Sequence, residues 1–378
     1  MSMTTDASVL WDQTQEAVFS VLSEQDSNGL WKTLRGSLAS NDDRNWIWHS
    51  QVENIGLHTF VIERLLKDWS HLPAVRVAVI RGLRALLHHS VEFQGKLLWR
   101  WLKVPTRPDF LYSPDYDDTA RAIAVLEIGR GILKPEEFDK VISGFEHNDF
   151  SHDLASSAQR DLCCLTPELV PTKEAHTSLR AVCTFVGGLT DKPNNTADPI
   201  VNTNVLYGLA VSGVYQREGL SQQLIPEITN YLSEVVRRRE IVFPRFYDFS
   251  HYYLSPCFFA YLCAHVRSIV PEFIPHDLAR GLVEGVMTFT SEQPIGPEEA
   301  AWTLVALASS GMGETSIANR LAERICSQFD PKMGILEPTP IYRHQRLGDY
   351  YGSTACSTLF CLEGLKSYQS IVQNDPNG

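Results

Sequence analysis

Apolar residues recur at helical spacing through most of this 378-residue chain, as Phe60, Val61, Leu65 and Leu66 do in one segment. The periodic segments are about 10–18 residues long and are separated by short breaks rich in Gly, Pro, Asp and Asn. We find no convincing strand pattern, and the segments predict on the order of twelve to fourteen helices. The fold class predicted from the sequence is therefore all-α.

Four of these helices open in a related way, with small or polar residues leading into an apolar run. They begin near Asp117, Asn202, Glu298 and Ser353. Repeated helical hairpins can close into a ring whose inner helices point their N-terminal ends toward one rim around a central hollow. Because no long linker interrupts the chain, we predict that residues 1–378 form a single α/α-toroid domain with about six hairpins.

Three carboxylates crowd the start of one predicted inner helix. Asp115, Asp117 and Asp118 precede Thr119 and an alanine-rich apolar run. Like groups this close cannot all ionise, so one keeps its proton, and burial raises its pKa further, whereas the helix N-terminus favours the anion left after proton transfer. The cluster is thus suited to a strong, coupled proton donor. A simpler interpretation is that Asp115 or Asp118 caps a helix running from about Thr119 to Gly129.

Two short motifs resemble those of a known family. Residues 115–120 read Asp-Tyr-Asp-Asp-Thr-Ala and resemble the Asp-x-Asp-Asp-Thr-Ala signature of the class II terpene cyclases, which include squalene-hopene cyclases and copalyl diphosphate synthases. Gln25, Gly29 and Trp31 match the Gln-x-x-x-Gly-x-Trp repeat of the same superfamily. Glycine suits the end of a helix there, and tryptophan can clamp the next hairpin.

The resemblance implies an enzyme, a terpene cyclase of the isomerase type. Such an enzyme protonates a terminal alkene or an epoxide of a linear polyprenyl or prenylated substrate. By this resemblance Asp117 would be the general acid, Asp115 and Asp118 would tune and reprotonate it, and Thr119 would fix their geometry. Class II cyclases usually pair two helical barrels, whereas this chain is long enough for one that resembles their β-domain. Either one toroid encloses the cavity, or a second copy or another subunit closes it.

Carbocations need aromatic faces and few nucleophiles around them. Aromatic residues cluster between Phe243 and Phe259 and again between Tyr342 and Tyr351, although aromatic stripes at helical spacing also suit an ordinary core. Asn202 and Asn204, at an inner-helix start, are candidates to hydrogen-bond the acid, to orient a head group or to deprotonate the final cation through a held water, and His251 is a candidate to assist the acid. The alternatives are a satisfied helix cap for each asparagine and an ordinary core histidine. The candidate substrate-binding residues are Asn202, Asn204, Phe246, Tyr247, His251, Tyr252, Trp302, Tyr350 and Tyr351.

Charge and the N-terminal segment limit the partners. Acidic residues outnumber basic ones by 45 to 33, for a net charge of −12, which argues against nucleic acid as a partner. Met1 to Ala7 is polar and carries Asp6, and no later stretch matches a membrane helix, so we expect a cytoplasmic protein without a transmembrane segment.

Cyclisation needs no redox cofactor and no protein metal site, and Mg²⁺ would enter only with a diphosphate substrate.

Two alternative functions are compatible with a helical toroid. One is a zinc-dependent protein like the β subunits of prenyltransferases, in which Asp161, Cys163 and His251 would hold the metal. The other is a non-catalytic scaffold whose acidic cluster is a solvated rim.

Overall fold

The computed structural model describes residues 7–38, 46–101, 114–145, 149–164, 179–187, 196–216, 220–238, 246, 250, 252–330, 332–335, 337–344 and 348–374. Thirteen α-helices dominate these ranges, which confirms the all-α prediction. They are α1 (Ala7–Ser23), α2 (Ile55–Trp69), α3 (Pro73–His88), α4 (Tyr116–Ile132), α5 (Pro135–Ile142), α6 (Phe150–Arg160), α7 (Pro199–Ser212), α8 (Leu220–Arg237), α9 (Pro256–Ile269), α10 (His276–Glu292), α11 (Pro297–Ser310), α12 (Thr315–Cys326) and α13 (Thr354–Gln373). In the part of the chain that is described, none of the helices could span a membrane.

Six helices form a closed inner ring. In order around the ring, α2, α4, α7, α9, α11 and α13 each pack against the next, and α13 packs against α2. The remaining helices lie outside them: α3, α5 and α6, α8, α10 and α12 follow their inner partners along the chain, and α1 packs on α13. This arrangement confirms the predicted α/α-toroid.

The N-terminal ends of the inner helices meet at one rim, since each inner helix is reached through an outer one that runs the opposite way. Side chains that accept backbone N–H groups cap five of them: Asn54 for α2, Asp115 for α4, Asp198 for α7, Ser255 for α9 and Ser353 for α13. The rim therefore gathers polar groups and positive helix-dipole ends.

An aromatic cluster fills the middle of the ring beneath this rim. The rings of Phe60, Phe258, Trp302 and Phe360 lie 4.8–6.0 Å apart, centroid to centroid. Beside them the guanidinium of Arg121, on α4, lies 3.9 Å from the centroid of the Phe60 ring. Because aromatic side chains occupy the middle of the toroid, space for a ligand is found at the rim.

The described ranges also contain ten short strands that were not expected from the sequence. They are β1 (Thr33–Leu38), β2 (Trp46–Val52), β3 (Val91–Phe93), β4 (Lys96–Leu98), β5 (Leu162–Cys164), β6 (Arg180–Val182), β7 (Phe329–Asp330), β8 (Gly334–Ile335), β9 (Tyr342–His344) and β10 (Asp349–Gly352). The largest sheet is antiparallel, with strand order β2-β1-β10-β9. Strands of two to seven residues are too short for a period-two pattern to stand out, which is why we missed them.

The Gln-x-x-x-Gly-x-Trp segment ties α1 to α3. The Gln25 amide donates to the carbonyls of Gly29 and Ala78, each at 2.8 Å, and the Trp31 indole donates to the Val21 carbonyl at 2.9 Å. Gly29 has φ +90°, a left-handed conformation that favours glycine. The motif therefore joins α1 to α3. The sequence predicted that its tryptophan clamps the next hairpin, and the Trp31 indole packs against Gly82 of α3.

Candidate active site

The three carboxylates lie at the rim, at the start of α4, and are buried. Asp115, Asp117 and Asp118 are 5%, 7% and 2% exposed. The interpretation of this cluster as a solvated rim is therefore wrong. The helix begins at Tyr116 rather than Thr119, and Asp115 caps it by accepting the Asp118 backbone N–H at 2.7 Å. The capping interpretation is thus correct for Asp115 and leaves two buried carboxyl groups unexplained.

Both oxygens of Asp117 accept hydrogen bonds from side chains of other inner-ring segments. Asn204, in the second turn of α7, donates its amide N–H to Oδ1 at 2.5 Å. Tyr253, just before α9, donates its hydroxyl to Oδ2. Burial raises the pKa of Asp117 to about 6, and these two hydrogen bonds act in the opposite direction by stabilising the anion.

The neighbouring carboxyl groups hold protons still more strongly. Burial raises the pKa of Asp115 to about 7, and the charge of Asp117 adds to the effect. Burial, followed by the charges of Asp115 and Asp117, places the pKa of Asp118 well above its ordinary range. Asp118 Oδ1 is buried and has no hydrogen-bond partner among the described residues. Near neutral pH the cluster therefore retains protons, as expected for a coupled group.

Two predicted site residues are engaged by the backbone. The Thr119 hydroxyl accepts the Trp99 N–H at 3.0 Å, which anchors the preceding segment to α4. The Asn202 amide accepts the Val182 N–H and donates to the Val182 carbonyl, both at 2.9 Å, and also donates to the Asp198 carbonyl at 3.0 Å. Both residues thus position the segments around the acid, and Asn204 is the asparagine that contacts Asp117.

Replacing Asn202 by Leu should destabilise the fold more than it affects ligand affinity. The change leaves the Val182 N–H and carbonyl buried without partners, which costs about 1–3 kcal/mol. We expect chemical denaturation to report a lower free energy of unfolding with an unchanged Kd for substrate. A large rise in Kd with full stability would instead identify Asn202 as a ligand contact.

A small cavity of about 60 Å³ covers the carboxylates, and we call it the acid cavity. Its other walls include Trp101, Phe185, Tyr252, Tyr342 and Arg343. The rings of Phe185 and Tyr252 meet edge to face at 6.2 Å. Aromatic walls around an acid suit a developing cation, because each ring face contributes about 0.5–2 kcal/mol when water is excluded.

The remaining predicted residues are spread over several places. Trp302 lies in the central cluster, Tyr351 packs edge to face on Trp101 at 4.5 Å, and Tyr350 packs on Trp46 at 4.6 Å. Phe246 is buried. Tyr247 and His251 lie outside the described residues. Tyr252 is thus the one predicted aromatic substrate-binding residue that the described structure places in the acid cavity.

Sequence reasoning missed Trp101, Phe185 and Arg343. Trp101 and Phe185 lie far along the chain from the aromatic clusters at residues 243–259 and 342–351, so only the fold brings them to the rim. Tyr253 belonged to a predicted aromatic cluster, but its hydrogen bond to Asp117 was not foreseen. Of the described lining residues, Arg343 is the one cation, and its guanidinium donates to the Ser250 carbonyl at 3.2 Å.

Gly56, in the first turn of α2, allows Asp118 and Tyr342 to approach this helix closely. A Cβ at this position would lie 2.7 Å from Asp118 Oδ1 and 2.6 Å from the Tyr342 hydroxyl. Replacing Gly56 by Ala should therefore displace both groups, and if the cluster acts as a general acid, kcat should fall about tenfold, because general-acid catalysis depends on geometry. Steady-state kinetics would measure the loss, and Gly131→Ala, at an exposed site with open space, is the control. Unchanged kcat in both variants would contradict the placement.

The zinc alternative receives no support from Asp161. Its carboxylate accepts the Tyr116 hydroxyl at 2.6 Å and the Gly187 N–H at 2.7 Å, and it pairs with Arg160 at 2.8 Å. The side chain of Cys163 and all of His251 lie outside what the structure describes. The carboxylate of Asp161 therefore holds local segments together.

Comparisons with known proteins bear on the fold. No family model matches the chain, and no curated protein matches its sequence significantly. Among solved structures, a variant of the type II terpene cyclase MstE from Scytonema, in complex with its substrate geranylgeranyl dihydroxybenzoate, has a TM-score of 0.59 at 12% identity. The match covers 96% of this chain and 98% of that one. A protein from Actinoplanes has a TM-score of 0.56 at 12% identity, over 95% and 99% of the two chains.

The same toroid also occurs with another activity. A D-mannose isomerase has a TM-score of 0.57 at 8% identity, over 99% of this chain and 100% of its own. At these identities the likeness establishes the fold, and the chemistry has to be argued from the site. The chain has the fold of the type II terpene cyclase MstE.

Proposed function

We propose that this protein cyclises a linear polyprenyl or prenylated substrate by protonating it with Asp117. The observation that supports the proposal is the setting of this carboxyl group, which is buried beside two other carboxyl groups at an aromatic-walled cavity. Burial raises the pKa of Asp117 to about 6, so the group keeps its proton below that pH, and Asn204 and Tyr253 donate hydrogen bonds that stabilise the anion. A neutral acid with a prepared conjugate base is what alkene protonation requires.

The proposed reaction balances without a redox cofactor. The Asp117 O–H proton passes to a terminal alkene carbon or an epoxide oxygen, and the O–H electron pair stays on the carboxylate. Electrons of the next double bond close each ring, and the last cation loses a proton or gains water. Tyr253 and Asn204 stabilise the carboxylate meanwhile, and Asp115 and Asp118 are the proposed source of the replacement proton.

The walls of the acid cavity support the proposed substrate class. Trp101, Phe185, Tyr252 and Tyr342 suit the reacting alkene, and Arg343 suits an oxygen-rich or anionic group. MstE has been solved with geranylgeranyl dihydroxybenzoate, and we extend that class of prenylated acid to this chain as a proposal. If the head group were a diphosphate, Mg²⁺ would accompany it.

Product analysis tests the proposal. Purified protein and its Asp117→Asn variant would be incubated with linear polyprenyl diphosphates, polyprenyl alcohols, prenylated hydroxybenzoates and squalene, followed by chromatography with mass detection. We expect a cyclised product from the parent protein alone. If none of these substrates is cyclised while both proteins are folded, the proposed function is wrong.

A further inference from the structure

A second cavity opens at the same rim and is much larger than the acid cavity. Its volume is about 470 Å³, against about 60 Å³ for the acid cavity. Small-molecule sites typically measure about 300–1,000 Å³. It lies among β2, the start of α11 and residues 337–340, and we call it the tryptophan cleft after Trp46, Trp48 and Trp302.

One backbone bridge stands between the tryptophan cleft and the acid cavity. Tyr253 and Tyr342 form an isolated antiparallel bridge. On the first strand of this bridge Tyr252 lines the acid cavity and Leu254 lines the cleft. On the second strand Tyr342 lines the acid cavity and Pro340 lines the cleft. A ligand in the cleft is therefore held apart from the three carboxylates.

The cleft has aromatic walls and a buried floor. The Trp48 indole, on β2, packs over Gly36 of β1 and Gly352 of β10, because a Cβ on either glycine would lie 2.9 Å from it. Trp302 lies at the floor, 1% exposed, and its indole N–H has no acceptor among the described residues. Buried indole N–H groups normally find a partner. These features fit a ligand with an apolar body and one oxygen that accepts a hydrogen bond.

The charges of the cleft discriminate against anions. Its described lining residues include two carboxylates, those of Glu299 and Glu337, and one guanidinium, that of Arg324. Arg324 donates to the Ile295 carbonyl at 2.7 Å, so part of its donor capacity is already used. An anionic head group would meet more negative than positive charge here, whereas a neutral hydroxyl group would not be repelled.

We propose that the tryptophan cleft is a second binding site, and that it takes an uncharged isoprenoid alcohol. The isoprenoid class rests on the proposed function, whereas the neutrality and the hydrogen-bond acceptor follow from the lining. The flat indole faces of Trp46 and Trp48 suit a branched alkene chain, and the alcohol oxygen accepts from Trp302.

Binding measurements on the Asp117→Asn protein, which prevents turnover, test this site. Farnesol, geranylgeraniol and farnesyl diphosphate would be titrated by calorimetry and by tryptophan fluorescence. We expect the alcohols to bind at least about tenfold more tightly than the diphosphate. Adding Trp302→Phe, which keeps the ring and removes the N–H, should weaken alcohol binding about fivefold to tenfold. Adding Trp48→Ala, at a partly exposed position, should weaken it further.

Trp101→Ala, at the acid cavity, is the matched control and should leave alcohol binding at the cleft unchanged. Alcohol binding that is lost in Trp101→Ala and kept in both cleft variants would overturn the proposal, as would diphosphate binding of equal affinity that is kept in Trp101→Ala and lost in the cleft variants. Saturable binding of mannose that disappears in Trp48→Ala would overturn the isoprenoid class. Alcohol binding at the cleft without cyclisation of any substrate would support the cleft proposal and contradict the proposed function. Cyclisation without alcohol binding at the cleft would contradict the cleft proposal and support the proposed function.

Discussion

Replacing Asp117 by Asn should abolish cyclisation and stabilise the protein. The amide has no proton acidic enough to transfer, so we expect turnover to fall by more than about 10³-fold. The buried carboxyl group has a folded-state pKa of about 6 against an ordinary value of 3.8. Its contribution to stability is therefore present at low pH and is lost as the pH rises from about 4 to about 6.

The stability gain should consequently depend on pH. The Asn variant avoids ionising a buried group, so at pH 8 its free energy of unfolding should exceed that of the parent by about 1–3 kcal/mol, and the difference should shrink at pH 4. Asp161→Asn is the matched control. Hydrogen bonds from Arg160 and Tyr116 outweigh burial and lower the pKa of Asp161, so its loss should destabilise the protein above pH 4. Denaturant unfolding at several pH values measures the free energy of unfolding of both variants. An Asp117→Asn protein that is less stable than the parent at pH 8 would contradict a buried Asp117 with a raised pKa.

Removing the Tyr253 hydroxyl should shift the pH dependence of the reaction. The parent needs protonated Asp117, so kcat/KM should fall as the pH rises above about 6. Tyr253→Phe removes a hydrogen bond that stabilises the anion, worth about 1.5–3 kcal/mol, so the pKa of Asp117 should rise by about 1–2 units. The descending limb should move to higher pH, and the plateau at low pH should fall about tenfold because the acid is weaker.

Tyr342→Phe provides the comparison for this shift. The Tyr342 hydroxyl lies 3.2 Å from that of Tyr253 and has no hydrogen bond to Asp117 among the described contacts. Its removal should move the limb by less than Tyr253→Phe does, and kcat/KM measured from pH 5 to pH 9 separates the two. If kcat/KM falls over the same pH range in the parent and in Tyr253→Phe, a group other than Asp117 controls the pH dependence.

The sequence predicted the fold well because its signals were local and repeated. Helical periodicity predicted the helices, and four similar openings predicted inner helices that the structure has as α4, α7, α11 and α13. The other two inner helices, α2 and α9, begin after Asn54 and Ser255, which are ordinary caps with no shared pattern. Short strands were missed because two to seven residues are too few for a period-two pattern to stand out, and the pairing of β1 with β10, more than three hundred positions apart, depends on the fold.

The site was only partly predictable. The three aspartates lie within four residues of one another, so the sequence alone predicted that they cluster. The donors to Asp117 were not, because Asn204 and Tyr253 come from segments 87 and 136 residues away. The sequence pattern also could not distinguish Asn202, whose amide faces the backbone, from Asn204, since two residues along a helix reverse the direction of a side chain.

The most direct test of proton-initiated cyclisation is the reaction in D₂O, with the product examined by mass spectrometry and NMR. If an enzymic acid starts the cascade, the product carries one deuterium that does not exchange, on the carbon that received the proton from Asp117, and Asp117→Asn yields none of it. For an epoxide substrate the label is on an exchangeable hydroxyl, so an alkene substrate is the one to use. A cyclised product without carbon-bound deuterium would contradict protonation by an exchangeable carboxyl group.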